Sequence, residues 1–514
     1  MNWPWWVSYF FGGVFAANAI PHFVAGTMGR PFQSPFAKPP GQGLSSATVN
    51  VVWGFFNAVV GYLLVARIGA FDPRATTHIL AFGLGVLLTG ASLRSVPWGQ
   101  YAVAHVKNPM SGTFRSLRSF NFRLWTAGGL VSNIGTWMQR VAQDWLVLTQ
   151  LTHHDASALG IVMGLQFAPQ LLFLPWTGSA ADRLNQRKLL MLTQATMGAL
   201  ALILGLLTIA GVVRLWHVYV FAFLSGSAAA LDAPVRQTFV AEMVGDADLP
   251  NAVALNSTSF NAAQMIGPAA AGLLIARVGI GWAFLINGLS FAAVLLSMSF
   301  FRLSELRTSA RAHRTASGFL EGFRYVWRRP DLRAILIMLF LIGTFGLNFP
   351  IFISTMAVNV FHSDARAFGL LSSIMAVGSL SGALFAASRK KSGLASLSMG
   401  AGVFGLGYTL AALAPGYWWF AAALAVSGAA ALTVTNGTNS IMQLSTEPSM
   451  RGRVMALRVG VALGGMTFGA PMIGWVANHF GPRWSLAVGA GACFSAASLA
   501  VYVLGRRKEP LLAQ

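Results

Sequence analysis

Apolar runs long enough to cross a bilayer, about 20 residues each, recur along nearly the whole of this 514-residue chain. Inside hydrocarbon every backbone amide must find its partner within the protein, so only helices and closed barrels can span. The runs here are continuous and long, not the ~10-residue alternating segments of an outer-membrane barrel. The chain is therefore expected to be an all-α multispanning membrane protein. Composition agrees: 55% of the residues are hydrophobic and 10% charged, where a soluble domain devotes roughly a quarter to charge.

The formal net charge of +21 raises the question of nucleic acid. That reading needs a basic face on a soluble domain, whereas these basic residues sit in short loops between the runs. With spans at 122–150, 157–177, 188–212, 215–238, 252–277 and 280–301, and six more from 333 onward, the basic clusters fall on one side. They are Arg183/Arg187/Lys188, Arg389/Lys390/Lys391, Arg451/Arg453/Arg458 and Arg506/Arg507/Lys508, together with eight arginines between Arg302 and Arg333. The opposite loops hold only scattered cations such as Arg214, Arg366 and Arg483. Excess Lys and Arg marks the cytoplasmic side, which predicts a multi-pass protein of the plasma (inner) membrane with its C-terminus in the cytoplasm. No nucleic-acid partner is expected.

Comparing the chain with itself gives the architecture. At an offset of 202 residues, Ser225-Gly226 falls on Ser427-Gly428, Ala254-Leu255 on Ala456-Leu457, and Gly267, Gly272, Gly279 and Trp282 on Gly469, Gly474, Gly481 and Trp484. A second echo, at 209, sets HHDASALG from His153 over HSDARAFG from His362. Two six-helix halves, 112–301 and 331–510, joined by a cytoplasmic linker at 302–330, follow from this register. Repeated halves around a midplane cavity are a common construction of secondary transporters.

Residues 1–105 precede the repeat and hold three further apolar runs, at 3–25, 48–66 and 77–96. They read as an N-terminal membrane module of unknown function. With residue 112 cytoplasmic, three crossings place Met1 outside; Arg30 and Lys38 agree with this, while Arg67 and Arg74 do not. The opening residues lack the positive region of a cleaved signal and are expected to be retained. His22, His78 and His105 are too dispersed for metal-ligand spacing. Cys493, the only cysteine, lies in an apolar run, which excludes a disulfide framework and a cysteine metal site. No cofactor and no metal are expected.

Between the second and third runs of the first half stands TGSAADRLNQRKLLML, Thr177 to Leu192. A tight turn calls for Gly178 and its small neighbours, and Asp182, Arg183, Arg187 and Lys188 can lock one half against the other when the cytoplasmic side closes. The plainer reading is a positive loop that only sets orientation. Gly178, Asp182, Arg183 and Arg187 match the loop signature of the major facilitator superfamily, which this chain resembles. Asn185 replaces a usual glycine and is expected to keep the turn by tolerating left-handed backbone; Gln186 replaces a usual cation. The stretches Phe114 to Thr152 and Leu231 to Ile275 narrow the resemblance to the branch containing the enterobactin exporter and related macrolide and drug exporters. The resemblance implies twelve transporter helices, in which the first, fourth, seventh and tenth line the cavity.

Of the 14 acidic residues, all but Asp144 and Asp232 are expected in loops or the tail. A carboxylate within a membrane span is costly and is functional by default. Asp144 lies one helical turn beyond Arg140 on a shared face, which Asn133 and Trp137 continue inward, with Gln139 and Gln143 beside it. Taking a carboxyl group out of water favours its neutral form and a nearby cation its ionised form, so Asp144 is the expected proton carrier; a purely structural ion pair with Arg140 is the alternative. Asp232, four residues before Arg236, is expected to serve the gate. In the resemblance an acid at this place pairs with the basic loop after the second span.

Gly267, Pro268 and Gly272 in the fifth span match the Gly-Pro core of the superfamily's antiporter motif, where small residues allow close helix approach and proline bends the helix. In the second half, neutral residues are the cavity candidates: Asn348 and Thr355, with Thr344 and Asn359, in the seventh span, and Asn436 and Asn439, with Thr433, Thr435, Thr438 and Gln443, around the tenth. Such groups suit an uncharged or amphipathic ligand. The chain contains no nucleotide-binding P-loop pattern. The expected function is a monomeric secondary transporter, not an enzyme, that exports a small amphipathic molecule such as a siderophore, drug or macrolide against protons. An importer or lipid flippase on the same fold, and a membrane sensor or scaffold that has lost transport, are the alternatives.

Overall fold

The computed structural model describes residues 3–27, 31–37, 44–65, 71–72, 75–95, 114–173, 185–245, 247–306, 319–388 and 393–505. They form two compact units, 1–112 and 113–514. Ten helices among the described residues are long and apolar enough to cross a membrane, and the protein is a predominantly helical, multi-pass integral membrane protein.

The first unit holds α1 (Trp3–Thr27), α2 (Ala47–Leu63) and α3 (Thr76–Ser95), with α1 packed on both others. Gly13 and Gly85 let backbones touch: a Cβ on either would collide with a carbonyl, of Phe82 or Phe10 respectively. The α1–α2 connection is a two-stranded ribbon, Phe32–Gln33 antiparallel to Leu44–Ser45. Asn50, fully buried, fastens it by donating to the carbonyls of Phe32, Ser45 and Ser46 at 3.0–3.1 Å, while its oxygen lies 2.9 Å from His22 Nδ1. His22 is thereby part of a closed hydrogen-bonded set within this unit.

The first half of the second unit runs through α4 (Phe120–Leu146), α5 (Ala156–Leu172), α6 (Gln186–Ile209), α7 (Leu215–Met243), α8 (Leu249–Val278) and α9 (Ile280–Ser299). A short helix, α10 (Phe319–Arg328), leads into the other half. There the first membrane stretch is one apolar run, Pro330–Val360, built of α11 (Pro330–Leu341), a π turn (Ile342–Gly346), α12 (Phe349–Thr355) and a second π turn (Met356–Val360). Next come α13 (Ala365–Ser388), α14 (Leu394–Leu413), α15 (Tyr417–Leu444), α16 (Pro448–His479) and α17 (Pro482–Gly505). α4 is 27 residues long but is not among the ten apolar spans, because its polar stripe lowers its hydropathy.

The internal repeat is structural as well as sequential. The π turns Val147–Leu151 and Met356–Val360 each lead to a left-handed histidine, His154 at φ 63° and His362 at φ 47°. Asp155 and Asp364 then accept from backbone amides in the first turns of α5 and α13. Gly279 and Gly481, at φ 102° and 98°, make the sharp turns from α8 to α9 and from α16 to α17. Only glycine takes that conformation without strain.

The expected settings of four residues are corrected. Asn185 is at φ −68° and caps α6 by accepting from the Lys188 amide: an extended N-cap, not a left-handed turn residue, satisfies the helix end. Asp331 is not a loop acid but lies in the first turn of α11, 5% exposed, with Arg329 3.2 Å away. Glu242 and Glu321 likewise fall within α7 and α10.

Candidate functional site

The halves meet along two seams, α5 against α16 and α8 against α13. Small residues make both possible. A Cβ on Gly272 would lie 2.6 Å from the Ala365 carbonyl, and one on Gly369 would strike the Pro268 carbonyl. Gly160 against Ala470 and Gly474 against Ala156 form the same kind of approach on the other seam. Gly267, Pro268 and Gly272 thus lie where α8 must be narrow; Gly267 also faces Trp137 Cβ of α4 at 2.6 Å for a built Cβ. Ala156 and Ala365 begin helices that follow the sparsely charged loops. The tightest approaches are therefore at the end of the bundle away from the arginine-rich loops.

At that closed end the polar face of α4 comes to rest. Asp144 is 7% and Gln143 6% exposed. Arg140 stands one turn earlier with its guanidinium 4.8 Å from the centre of the Trp137 ring, and its Nε is buried without a hydrogen-bond partner. The Asp144 carboxyl group makes no ion pair within 4 Å and no hydrogen bond among the described residues. Arg140 and Asp144 are thus near enough to interact through their charges but do not touch, and the guanidinium rests against the indole. Beside the acid, Trp145 stacks on Phe368 of α13 across the halves, centroids 5.8 Å apart. Asn133, half-buried, lies three turns down α4. Gln139 accepts from Asn287 Nδ2 of α9 at 2.6 Å, a link that sequence reading missed.

Asp232, 6% exposed, is fully used. Its carboxylate accepts from Thr193 Oγ1 and Gln194 Nε2 of α6, both at 2.8 Å, and from Arg236 Nε at 2.9 Å. Arg236 also lies over the Trp125 ring, 5.1 Å from its centre. This network ties α7 to α6 and α4. Neighbouring Gln186, where a cation was expected, accepts from Thr238 of α7 at 3.2 Å. Arg187 donates to the Met298 carbonyl at 2.9 Å, and Lys188 is exposed. Gly178, Asp182 and Arg183 lie outside the described residues.

In the second half the sequence candidates divide. Asn348 and Thr355 have no exposure, and the Thr355 hydroxyl donates to the Ile351 carbonyl at 2.6 Å; both are sealed rather than lining open space. Asn348 donates to the Thr344 carbonyl at 2.7 Å, where the helix is interrupted between the π turn and α12, and its oxygen is unpartnered. Asn436 is exposed and Asn439 half-buried. Arg458, placed by sequence among loop cations, lies within α16 and donates to the Thr435 carbonyl of α15 at 3.0 Å, its Nε buried and unpartnered. Its position after Met455, Ala456 and Leu457 was the available signal. No cluster of His, Cys, Asp or Glu able to hold a metal occurs among the described residues.

Known proteins sharpen this picture. The chain is 28% identical to the multidrug efflux pump Tap of Mycolicibacterium fortuitum over 397 residues, covering 73% of this chain and 92% of that one. It is 23% identical to the enterobactin exporter EntS of Citrobacter koseri, covering 71% of this chain and 87% of EntS. The match to the staphyloferrin A transporter of Staphylococcus aureus is 27% identical and covers 48% of this chain, spanning 62% of that protein's length. In fold it is similar to the inward-facing, occupied structure of a bacterial homologue of the human lysosomal transporter Spinster, with a TM-score of 0.60 at 16% identity over 76% of this chain and 99% of the other. A family described as transmembrane secretion effectors matches residues 111–509. Over those residues the chain belongs to this family of major facilitator superfamily transporters.

Proposed function

We propose that the protein is a proton-coupled exporter of a small amphipathic molecule of the siderophore, drug or macrolide kind. The observation that carries the reading is Asp144: a carboxyl group buried in a polar membrane helix, unpaired, with a cation one turn away held on an aromatic ring. Such a group changes its protonation when its access to water changes. Its neighbour Trp145 stacks on Phe368 of the other half at the closed outer end, so opening that end rehydrates the acid. The acid then exchanges protons with the outside, and closure carries the proton inward while ligand moves out.

Asp232 has a different part. With three donors on its carboxylate it serves the gate together with Gly178, Asp182, Arg183, Arg187 and Lys188. The ligand is recognised by uncharged groups, Asn436 and Asn439 among them, that cost little to desolvate. Orientation follows the arginines, which puts the linker and C-terminus in the cytoplasm of a monomeric protein. Residues 1–105 form a membrane module separate from the transporter.

Export is supported by the names of the relatives and by the Gly-Pro seam of α8. The test is ligand accumulation in inside-out vesicles under an imposed pH gradient. Accumulation that collapses with the gradient is expected; accumulation indifferent to it refutes proton coupling, and uptake in right-side-out vesicles under the same gradient refutes export.

A further inference from the structure

The linker helix α10 carries chemistry that transport does not use. Its sequence, FLEGFRYVWR, turns Gly322 and Val326 inward; Val326 is fully buried, and a Cβ on Gly322 would lie 3.1 Å from Arg453 of α16. The remaining surface is of two kinds. Phe323 and Trp327, one turn apart, are 41% and 49% exposed and stack with centroids 5.2 Å apart, while Arg324 and Arg328 are exposed and have no ion-pair partner among the described residues.

Between α10 and the start of α16 lies a groove of about 400 Å³ lined by Glu321, Arg324, Tyr325, Arg328, Arg329 and Met450. Three acidic residues flank it: Glu321 and Asp331 are engaged, while Glu447, whose backbone amide lies 3.5 Å from Tyr325 Oη, is exposed and makes no ion pair among the described residues. Glu321 binds Arg453 at 2.8 Å and Asp331 binds Arg329 at 3.2 Å. For Arg329 burial opposes the charge, but the hydrogen bond and charge of Asp331 outweigh it and raise its pKa. Arg324 and Arg328 are thus left as unneutralised cations on the rim. The membrane stretch begins at Pro330, two residues beyond Arg328. The helix therefore lies at bilayer-surface depth, and Arg333 reaches over Trp327, 5.8 Å from its ring centre.

We infer that this groove binds the phosphate of an anionic phospholipid headgroup, with Arg324 and Arg328 as its ligands and Phe323 and Trp327 seated in the adjacent interface. Guanidinium groups match phosphate oxygens in bidentate geometry, and aromatic side chains settle at the headgroup level. Cations held near an anionic leaflet add affinity roughly in proportion to their number. A free phosphate would use the arginines but gain nothing from the exposed rings, which is why the lipid is the occupant. Because α10 is fastened to α16 through Gly322 and the Glu321–Arg453 pair, headgroup binding reports directly on one of the helices that form the seam between halves.

The test is native mass spectrometry of the full-length protein titrated with phosphatidylglycerol or with phosphatidylcholine of the same chains, and with glycerol 3-phosphate as the soluble anion. Wild type is expected to retain phosphatidylglycerol preferentially, and Arg324→Gln/Arg328→Gln to bind its tightest copy about thirtyfold more weakly. Arg324→Lys/Arg328→Lys, which keeps the charge but not the bidentate geometry, should recover part of that loss, which separates lost charge from misfolding. Phe323→Ala/Trp327→Ala should weaken the lipid without affecting glycerol 3-phosphate. Phosphatidylglycerol binding unchanged in the Gln variant, or glycerol 3-phosphate bound as tightly as the lipid, overturns the inference.

Discussion

Trp145 of α4 lies ring over ring on Phe368 of α13, centroids 5.8 Å apart and planes 21° from parallel, one residue beyond the buried Asp144. The two helices belong to different halves, so the stack holds only while the outer end is closed. Removing it costs about 1 kcal/mol of ring–ring interaction, a factor of about five in a two-state ratio. Phe368→Ala is therefore expected to shift the protein toward outward-open forms. Labelling of a cysteine placed near Gln150 measures this, against a background in which Cys493 is buried. Labelling as slow as in wild type would mean that the stack is not a gate.

The two seams make a second expectation. A Cβ on Gly272 already stands 2.6 Å from the Ala365 carbonyl, so Gly272→Val cannot be accommodated without parting α8 from α13. The same outward shift should appear, with a lower melting temperature, since overpacking costs about 1–3 kcal/mol. A variant with wild-type melting and labelling would show that the seam is looser than drawn.

Asp232 should behave as a gate residue and not as a proton carrier. Its carboxylate accepts from Thr193, Gln194 and Arg236, and Asp232→Asn leaves Arg236 without its counter-charge. The cost is about 3 kcal/mol, the lower figure for breaking a buried pair, because Arg236 keeps some solvent. Asp182→Asn and Asp232→Asn are both expected to increase cysteine labelling from the basic side and to slow turnover, with ligand affinity nearly unchanged. Unaltered labelling in both would leave the loop after α5 as an orientation signal only.

What could be seen from sequence divides along physical lines. Helices, repeat and family were legible because long apolar runs, recurring glycines and the Gly178–Asp182–Arg183 spacing are local patterns. The partners of polar side chains were not, because helix packing decides them. Nothing local announces that Asp232 reaches Thr193 and Gln194, that Gln139 meets Asn287, or that Arg140 rests against the Trp137 ring without touching Asp144. The polarity of Thr355 suggests a cavity-facing place, but a hydroxyl can satisfy itself on its own helix, as this one does on Ile351. Asn185 suggests a left-handed turn because asparagine tolerates that backbone, yet Asn is equally a helix N-cap, and Lys188 supplies the amide.

Topology has its own check. Tags inserted at Arg314 and after Gln514 should both be protected in right-side-out cells and cut in inside-out vesicles, as the clustering of arginine requires. Cleavage of either tag in intact cells would invert the orientation.

Residues 1–112 pack as a compact unit with its own buried His22–Asn50 contact. Deleting 1–105 is expected to leave transport rates unchanged at equal surface expression. Loss of transport at equal expression would make the module part of the machinery.

The most direct test of the account is uphill export by Asp144→Asn. Asparagine keeps the size and hydrogen-bonding capacity of the acid but cannot carry a proton. In proteoliposomes with an imposed pH gradient, the purified, folded variant is predicted to bind ligand as wild type does and to exchange it downhill, with pH-driven accumulation abolished. If Asp144→Asn still accumulates ligand uphill with the wild-type pH dependence, Asp144 is not the proton site and the account is contradicted.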